Sequence, residues 1–150
     1  MTAADWTPGA TIVGADGRAK AYRPLPAAER RRAFDAAIAA YERGDFFEAH
    51  ELLEPAWMGS DDPAERELDQ GLIKLAAAFV HGVRGNPAGI AKNLRGARDR
   101  LGRAKGSAAE AASGLDVEAL VAAIDDRLAR LAADPADGSI DPPALPWRAR

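Results

Sequence analysis

The residues best suited to chemistry lie in one short segment, HELLEPAW, which begins at His50. His50 and Glu54 are four residues apart, so a helix would place them on one face and within hydrogen-bonding reach. Glu51 lies at the edge of that face and Trp57 lies within it. An imidazole beside a carboxylate can act as a general acid and base, or it can bind a metal ion. The segment therefore predicts a polar centre.

Burial of this centre is predicted from its apolar neighbours. On a helical wheel, His50 and Glu54 fall inside the sector formed by Phe46, Leu53 and Trp57. An ionisable group in such a sector needs a partner, because an unpaired buried charge is costly. We therefore expect the imidazole and the carboxylate to be enclosed and hydrogen-bonded to each other.

A second polar group lies on a helix predicted over about residues 63–84. Gln70, Lys74 and His81 share a narrow face of this helix. They either meet the first group or face water, and the sequence leaves both arrangements open. Pro55 lies inside the preceding helix, where it removes a backbone donor and predicts a kink.

About five helices are predicted to position these residues, because no strand pattern competes with the helical spacing of apolar residues. Glu48 and Glu65 are placed to complete capping boxes. We expect an all-α fold, a compact bundle or array made of two helical hairpins plus a C-terminal helix. The predicted helix starts are marked by capping side chains at Asp45, Asp62, Asn86 and Asp116.

One helical domain is predicted over residues 26–133. Residues 1–25 contain glycine and proline without periodicity, so we expect an irregular N-terminal arm. Residues 134–150 are rich in proline and are predicted to form an extended, exposed tail. Within the domain, the small-residue segment GSAAEAASG is interpreted as a linker before the last helix.

The composition limits the classes of function. Apolar residues make up 47% of the chain and charged residues 29%, as in ordinary globular proteins. The net charge of -3 disfavours nucleic acid as a partner, and the absence of cysteine excludes disulfides and thiolate sites. The chain has neither a signal-peptide pattern nor a membrane-length apolar run, so we expect a soluble cytoplasmic protein without membrane association.

Two motifs together resemble a known family. GDFFEAHELLEPAW, followed by QGLIKLAAAFVHGVRGNPAGI, is similar to the family called domain of unknown function 309, over roughly residues 34–101. The resemblance implies a small compact helical protein of bacteria and archaea, with no established activity. Lys74 stands where many relatives have glutamine, and Pro55 stands where a helix-friendly residue is usual. The positions carrying the resemblance are Phe47, Glu48, His50, Glu51, Glu54, Trp57, Gln70, Gly71, Lys74, His81, Gly85 and Asn86.

Three functions remain open, and the residues do not decide whether the protein is an enzyme. The favoured one is a binding or scaffolding module for a protein or peptide partner or a second copy of the chain. Such a module would present the concave surface of its helical hairpins, helped by the exposed Pro-rich tail with Trp147. The candidate polar centre is defined as His50, Glu51, Glu54, Trp57, Gln70, Lys74 and His81.

The alternatives use other chemistry. No cofactor is favoured, but a divalent metal could be bound by the imidazoles and carboxylates of His50, Glu51, Glu54 and His81, with or without catalysis. A second alternative is weak nucleic-acid binding through the basic fourth helix. Its cationic residues are Lys92, Arg95, Arg98, Arg100, Arg103 and Lys105.

Overall fold

The computed structural model describes residues 11–13, 19–21, 23–80 and 86–148. In these ranges it has six helices, which confirms the all-α expectation, and none of them is long and apolar enough to cross a membrane. A short antiparallel pair, β1 (Thr11–Val13) and β2 (Ala19–Ala21), interrupts the predicted irregular arm. Strands of three residues are too short to show an alternating pattern. The helices are α1 (Ala27–Glu42), α2 (Phe46–Met58), α3 (Pro63–Ala78), α4 (Pro87–Ala104), α5 (Ala108–Ser113) and α6 (Val117–Ala133).

Local capping fixes where four of the helices begin. In each, the predicted cap side chain accepts a hydrogen bond from a backbone N–H of the first turn: Asp45, Asp62, Asn86 and Asp116. The predicted capping boxes are wrong, because the glutamates have other partners. Glu48 pairs with Arg43, and Glu65 pairs with Arg30 across to α1. The third helix ends at Ala78 rather than near residue 84, and residues 81–85 lie outside the described residues.

A short helix, α5, occupies the segment predicted to be a linker. Ser107 caps it by accepting the N–H of Glu110 at 3.1 Å. The Glu110 side chain is buried and accepts the backbone N–H groups of Gly106 at 2.7 Å and Val117 at 2.8 Å. Arg148 adds an ion pair at 3.1 Å. One carboxylate therefore ties the start of α5 to the start of α6 and to the C-terminal segment, which we define as residues 134–148.

The C-terminal segment packs against the helices. Its proline at position 143 accepts a hydrogen bond from the Tyr41 hydroxyl of α1 at 2.7 Å, through the backbone carbonyl. The predicted exposure of this tail is therefore wrong, because its apolar side chains supply part of the core. The buried residues of the segment include Ile140, Pro143 and Leu145.

Helices α3 and α4 approach closely at glycine positions. A Cβ atom built on Gly71 would lie 2.6 Å from Cγ of Leu101 and 3.1 Å from its backbone nitrogen. A Cβ atom at Gly96 would lie 2.6 Å from Cδ of Lys74, so the lysine stem crosses α4 there. Residues of α3 are buried without interruption from Leu68 to Ile73. Helix α3 is thus enclosed in its middle turns, which include Gln70 of the second predicted polar group.

Gly71→Ala should destabilise the protein by about 1–3 kcal/mol, because the added methyl group overlaps Leu101 and the helices must separate. Gly102→Ala is the matched control, since a Cβ atom there meets nothing within 4 Å. The control should be neutral or stabilising by up to about 1 kcal/mol, through helix propensity. Urea denaturation of both variants tests this, and equal effects would contradict the close approach.

Glu110→Gln should cost about 1–3 kcal/mol at neutral pH, because an amide NH₂ would face a backbone N–H. Burial raises the pKa of Glu110, but the Gly106, Val117 and Arg148 hydrogen bonds outweigh it and hold the pKa below its usual 4.5. The carboxylate therefore stabilises the fold above that value, and the stabilisation is lost as pH falls through the lowered pKa.

The difference in free energy of unfolding between wild type and Glu110→Gln should shrink in acid. Glu118→Gln is the control, because this side chain is 74% exposed. A difference that stays constant from neutral to acidic pH would show that the ionised carboxylate is not what stabilises the junction.

Candidate functional site

The residues of the candidate polar centre are divided between two environments. Trp57 on α2 and Gln70 on α3 are 1% and 2% exposed, and both line one cavity of about 160 Å³. Glu54 and Lys74 are half-buried, and each has interactions of its own. His81 lies outside the described residues, so its proximity to the other members stays a prediction.

His50 is not enclosed as predicted. Its side chain is 32% exposed, and its Nδ1 atom lies 3.3 Å from Oε1 of Glu51, which is 60% exposed. The adjacent residue therefore takes the place predicted for Glu54. Phe47, in the same turn, is also 62% exposed. A helical wheel gives the direction of a side chain but not how far neighbouring helices extend over it, and here they leave the first turns of α2 open to water.

A metal centre has no complete ligand set in the described part of the chain. Across residues 23–80 and 86–148, no group of three histidine, aspartate or glutamate side chains is arranged to hold an ion. The predicted set of His50, Glu51, Glu54 and His81 is represented there by the surface pair at 3.3 Å. Because His81 lies outside those ranges, the metal hypothesis stays a prediction.

The cavity beside Trp57 contains buried polar atoms without partners. We call it the arginine cavity, and Arg66 and Gln70, one turn apart on α3, both line it. Among the described residues, neither Nε of Arg66 nor Oε1 of Gln70 makes a hydrogen bond, although both atoms are buried. Each such atom costs about 1–3 kcal/mol relative to a paired one. The cavity is lined by Trp57, Pro63, Arg66, Glu67, Gln70 and Arg100.

The charge of the arginine cavity is positive. Glu67 is the carboxylate in its lining, and it is shared by Arg100 at 3.1 Å and Arg103 at 3.5 Å. Arg66 adds a further guanidinium to the same wall. The lining therefore contains two guanidinium groups and one carboxylate, so a second anion would be attracted into this space.

Part of the chain, including most of this region, is similar to a known family. Residues 34–93 match the sequence model of the family described as Domain of unknown function (DUF309). The matched residues, which we call the DUF309 segment, run from α1 to α4. No curated protein and no solved structure matches the chain. The DUF309 segment contains Trp57, Arg66, Glu67 and Gln70, so most of the arginine cavity lies within it. The function of this segment is therefore inferred from the geometry of the cavity.

Two residues of the DUF309 segment that line the cavities of the structure were not predicted from the sequence. Arg66 lines the arginine cavity, and Asp69 is 3% exposed on an adjacent face of α3. Asp69 lies between Leu68 and Gln70 in a run of buried residues. An acid within the apolar stripe was the available signal, but its burial depends on helices that are distant in sequence.

The basic residues of α4, in and beyond the DUF309 segment, are largely paired with acids. Arg98 lies 3.6 Å from Asp125 and Lys105 lies 3.7 Å from Glu118, both on α6. Arg100 pairs with α3 at 3.1 Å. These pairs reduce the cationic charge that α4 offers to phosphate groups. Nucleic-acid binding through α4 stays a prediction without support from this geometry.

His50→Ala should lower the free energy of unfolding by less than about 1 kcal/mol, because its contact with the exposed Glu51 side chain is at the surface and contributes little. Trp57→Ala should cost about 3–5 kcal/mol, since it empties a fully buried site. Chemical denaturation of the two variants checks both values. A loss at His50 as large as that at Trp57 would show that the histidine belongs to an enclosed network.

Proposed function

We propose that this protein is a binding module for a small organic anion, which occupies the arginine cavity. The observation that carries the proposal is the pair of buried, unsatisfied atoms in one cavity, Nε of Arg66 and Oε1 of Gln70. Folded proteins seldom leave buried polar atoms without partners, and an unfilled ligand site is one reason for an exception. A ligand that forms hydrogen bonds with both side chains would remove the free-energy cost of leaving these atoms unpaired.

The charge of the lining favours a carboxylate. The guanidinium groups of Arg66 and Arg100 carry two positive charges, against the single negative charge of Glu67. A carboxylate matches the planar donor edge of arginine, and charge-assisted hydrogen bonds of this kind are stronger than neutral ones. Gln70 then pairs with a further polar atom, because its amide can present either a donor or an acceptor.

The size of the cavity limits the ligand. A volume of about 160 Å³ corresponds to roughly five water molecules at about 30 Å³ each. Trp57 supplies a buried aromatic wall for a short carbon chain. We therefore infer a carboxylic acid of a few carbon atoms with a second polar group.

A small ligand is better supported than a peptide partner. The peptide-binding hypothesis relied on an exposed Pro-rich tail, but the C-terminal segment is packed, with Leu145 6% exposed. Its Trp147 lies near α1, with the indole N–H 3.4 Å from a carboxylate oxygen of Glu42. These residues already have partners within the chain.

Calorimetric titration with acetate, malonate and succinate, and inorganic phosphate as a separate arm, tests the proposal. At least one carboxylate should bind the wild type, and Arg66→Gln should weaken binding about 10–100-fold, the equivalent of one charge-assisted hydrogen bond. Arg95→Gln is the matched control, because Arg95 is exposed on α4 and outside the cavity. The proposal fails if no carboxylate binds, or if both arginine variants behave alike.

Gln70→Leu separates binding from folding. Replacing the unsatisfied amide with an apolar side chain of similar size should stabilise the ligand-free protein, by up to about 1–3 kcal/mol, while weakening carboxylate binding. Thermal denaturation with and without ligand measures both effects. A variant that loses stability and binding together would indicate that Gln70 has only a packing role.

A further inference from the structure

A second cavity lies on another face of α3, between α1 and α5. It has a volume of about 220 Å³, and we call it the Asp69 cavity. Its walls are mainly apolar, with Phe34 from α1, Leu68 from α3 and Ala109 from α5. A cavity of about 150 Å³ is enough to hold benzene, so a substituted aromatic ring or a short alkyl chain fits here.

The other charged side chains of the cavity are neutralised within the chain. Nε of Arg30 donates to Glu65 at 2.9 Å, and this arginine side chain is only 11% exposed. Arg31 pairs with Asp35 at 3.0 Å at the surface end. The lining from α2 and α5 adds no charged group, since it consists of alanines and Ser113. Each cation in the lining therefore has its own carboxylate.

Asp69 is the ionisable residue of the lining that belongs to neither of these ion pairs. Its side chain lines the cavity, and the residue is 3% exposed. Burial raises the pKa of its carboxyl well above the usual value, Glu65 raises it further, and the Arg30 guanidinium opposes them in part. Among the described residues, burial and the charges of Glu65 and Arg30 act on this carboxyl, and no hydrogen bond is among these interactions. Asp69 therefore holds its proton at pH values where an exposed aspartate is ionised.

We propose that the Asp69 cavity binds a small primary amine, with its apolar body against Phe34 and Leu68 and its ammonium group on the Asp69 carboxylate. An ammonium group supplies both the positive charge and the N–H donors that this carboxyl lacks. A ligand carboxylate would be repelled by the acidic groups of Glu65 and Asp69. A wholly apolar ligand would leave the Asp69 carboxyl without a hydrogen-bond partner. The amine is therefore the ligand class that satisfies the cavity.

Binding is coupled to release of a proton. The amine enters as its ammonium ion, and the neutral carboxyl of Asp69 loses its proton to solvent, so the complex is an ammonium–carboxylate pair. Charge is conserved, because one cation enters the cavity and one proton leaves it. Where the free carboxyl is protonated, affinity should rise about tenfold for each pH unit.

Calorimetric titration with phenethylamine hydrochloride at mildly acidic and at neutral pH, in phosphate and in MOPS buffer, which contains no primary amine, tests the proposal. The wild type should bind, and the difference in enthalpy between the buffers should show proton release that is largest at the more acidic pH, where more of the free Asp69 carboxyl is protonated. The neutral analogue 2-phenylethanol should bind at least tenfold more weakly and release none. Absence of phenethylamine binding at millimolar concentration, or binding without proton release, would overturn the proposal.

Two variants locate the site. Asp69→Asn keeps the shape but cannot ionise, so phenethylamine should bind at least tenfold more weakly and without proton release. Ala109→Leu fills the cavity and should abolish binding while Asp69 is retained. It also tests the site if the asparagine variant folds poorly. Asp126→Asn, an exposed residue of α6, is the matched control and should bind as the wild type does.

The amine site is independent of the proposed anion site. Arg66→Gln should leave phenethylamine binding unchanged, because Arg66 does not line the Asp69 cavity. Equal phenethylamine binding by the wild type, Asp69→Asn and Ala109→Leu would place the amine elsewhere on the protein and refute the inference.

Discussion

The approach of α3 and α4 at Gly71 is so close that Leu101 fills the space where a side chain would otherwise stand. With α4 on this side and α2 and α5 packed against other faces, the middle turns of α3 have no face in water. A surface helix can direct its polar residues outward, but an enclosed one cannot. Asp69 and Gln70 are therefore held inside the protein by the packing of the backbone around them.

This enclosure gives one helix two polar pairs with different surroundings. Arg66 and Gln70 are one turn apart and line a cavity in which arginines outnumber carboxylates. Glu65 and Asp69 are also one turn apart, but they line a mainly apolar cavity whose arginines are already paired. Both pairs are fixed to the same rigid helix. The protein can therefore hold a cavity that attracts anions and a cavity that attracts cations close together, without the groups of one cavity forming ion pairs with those of the other.

The features that could be predicted from the sequence are local ones. Asp45 and Asp116 cap their helices through bonds to residues three positions away, and the burial of Trp57 follows from its place in an apolar stripe. The features that were missed depend on distant residues. The short α5 is fixed in part by the bond from Arg148 to Glu110, 38 positions apart, and the exposure of His50 depends on where other helices end. The spacing of apolar residues along the sequence does not show which distant residues bond to a side chain or where neighbouring helices end.

The hydrogen bond between Tyr41 and Pro143 joins residues that are 102 positions apart. A protein chain is made from its amino terminus, so α1 is synthesised long before the segment that covers it. Until residue 143 has emerged from the ribosome, the tyrosine hydroxyl and the apolar surface around it must remain wet or be shielded by something else. Contacts of such long sequence separation also form slowly. The native packing of α1 is consequently completed late in folding, after residue 143 has left the ribosome.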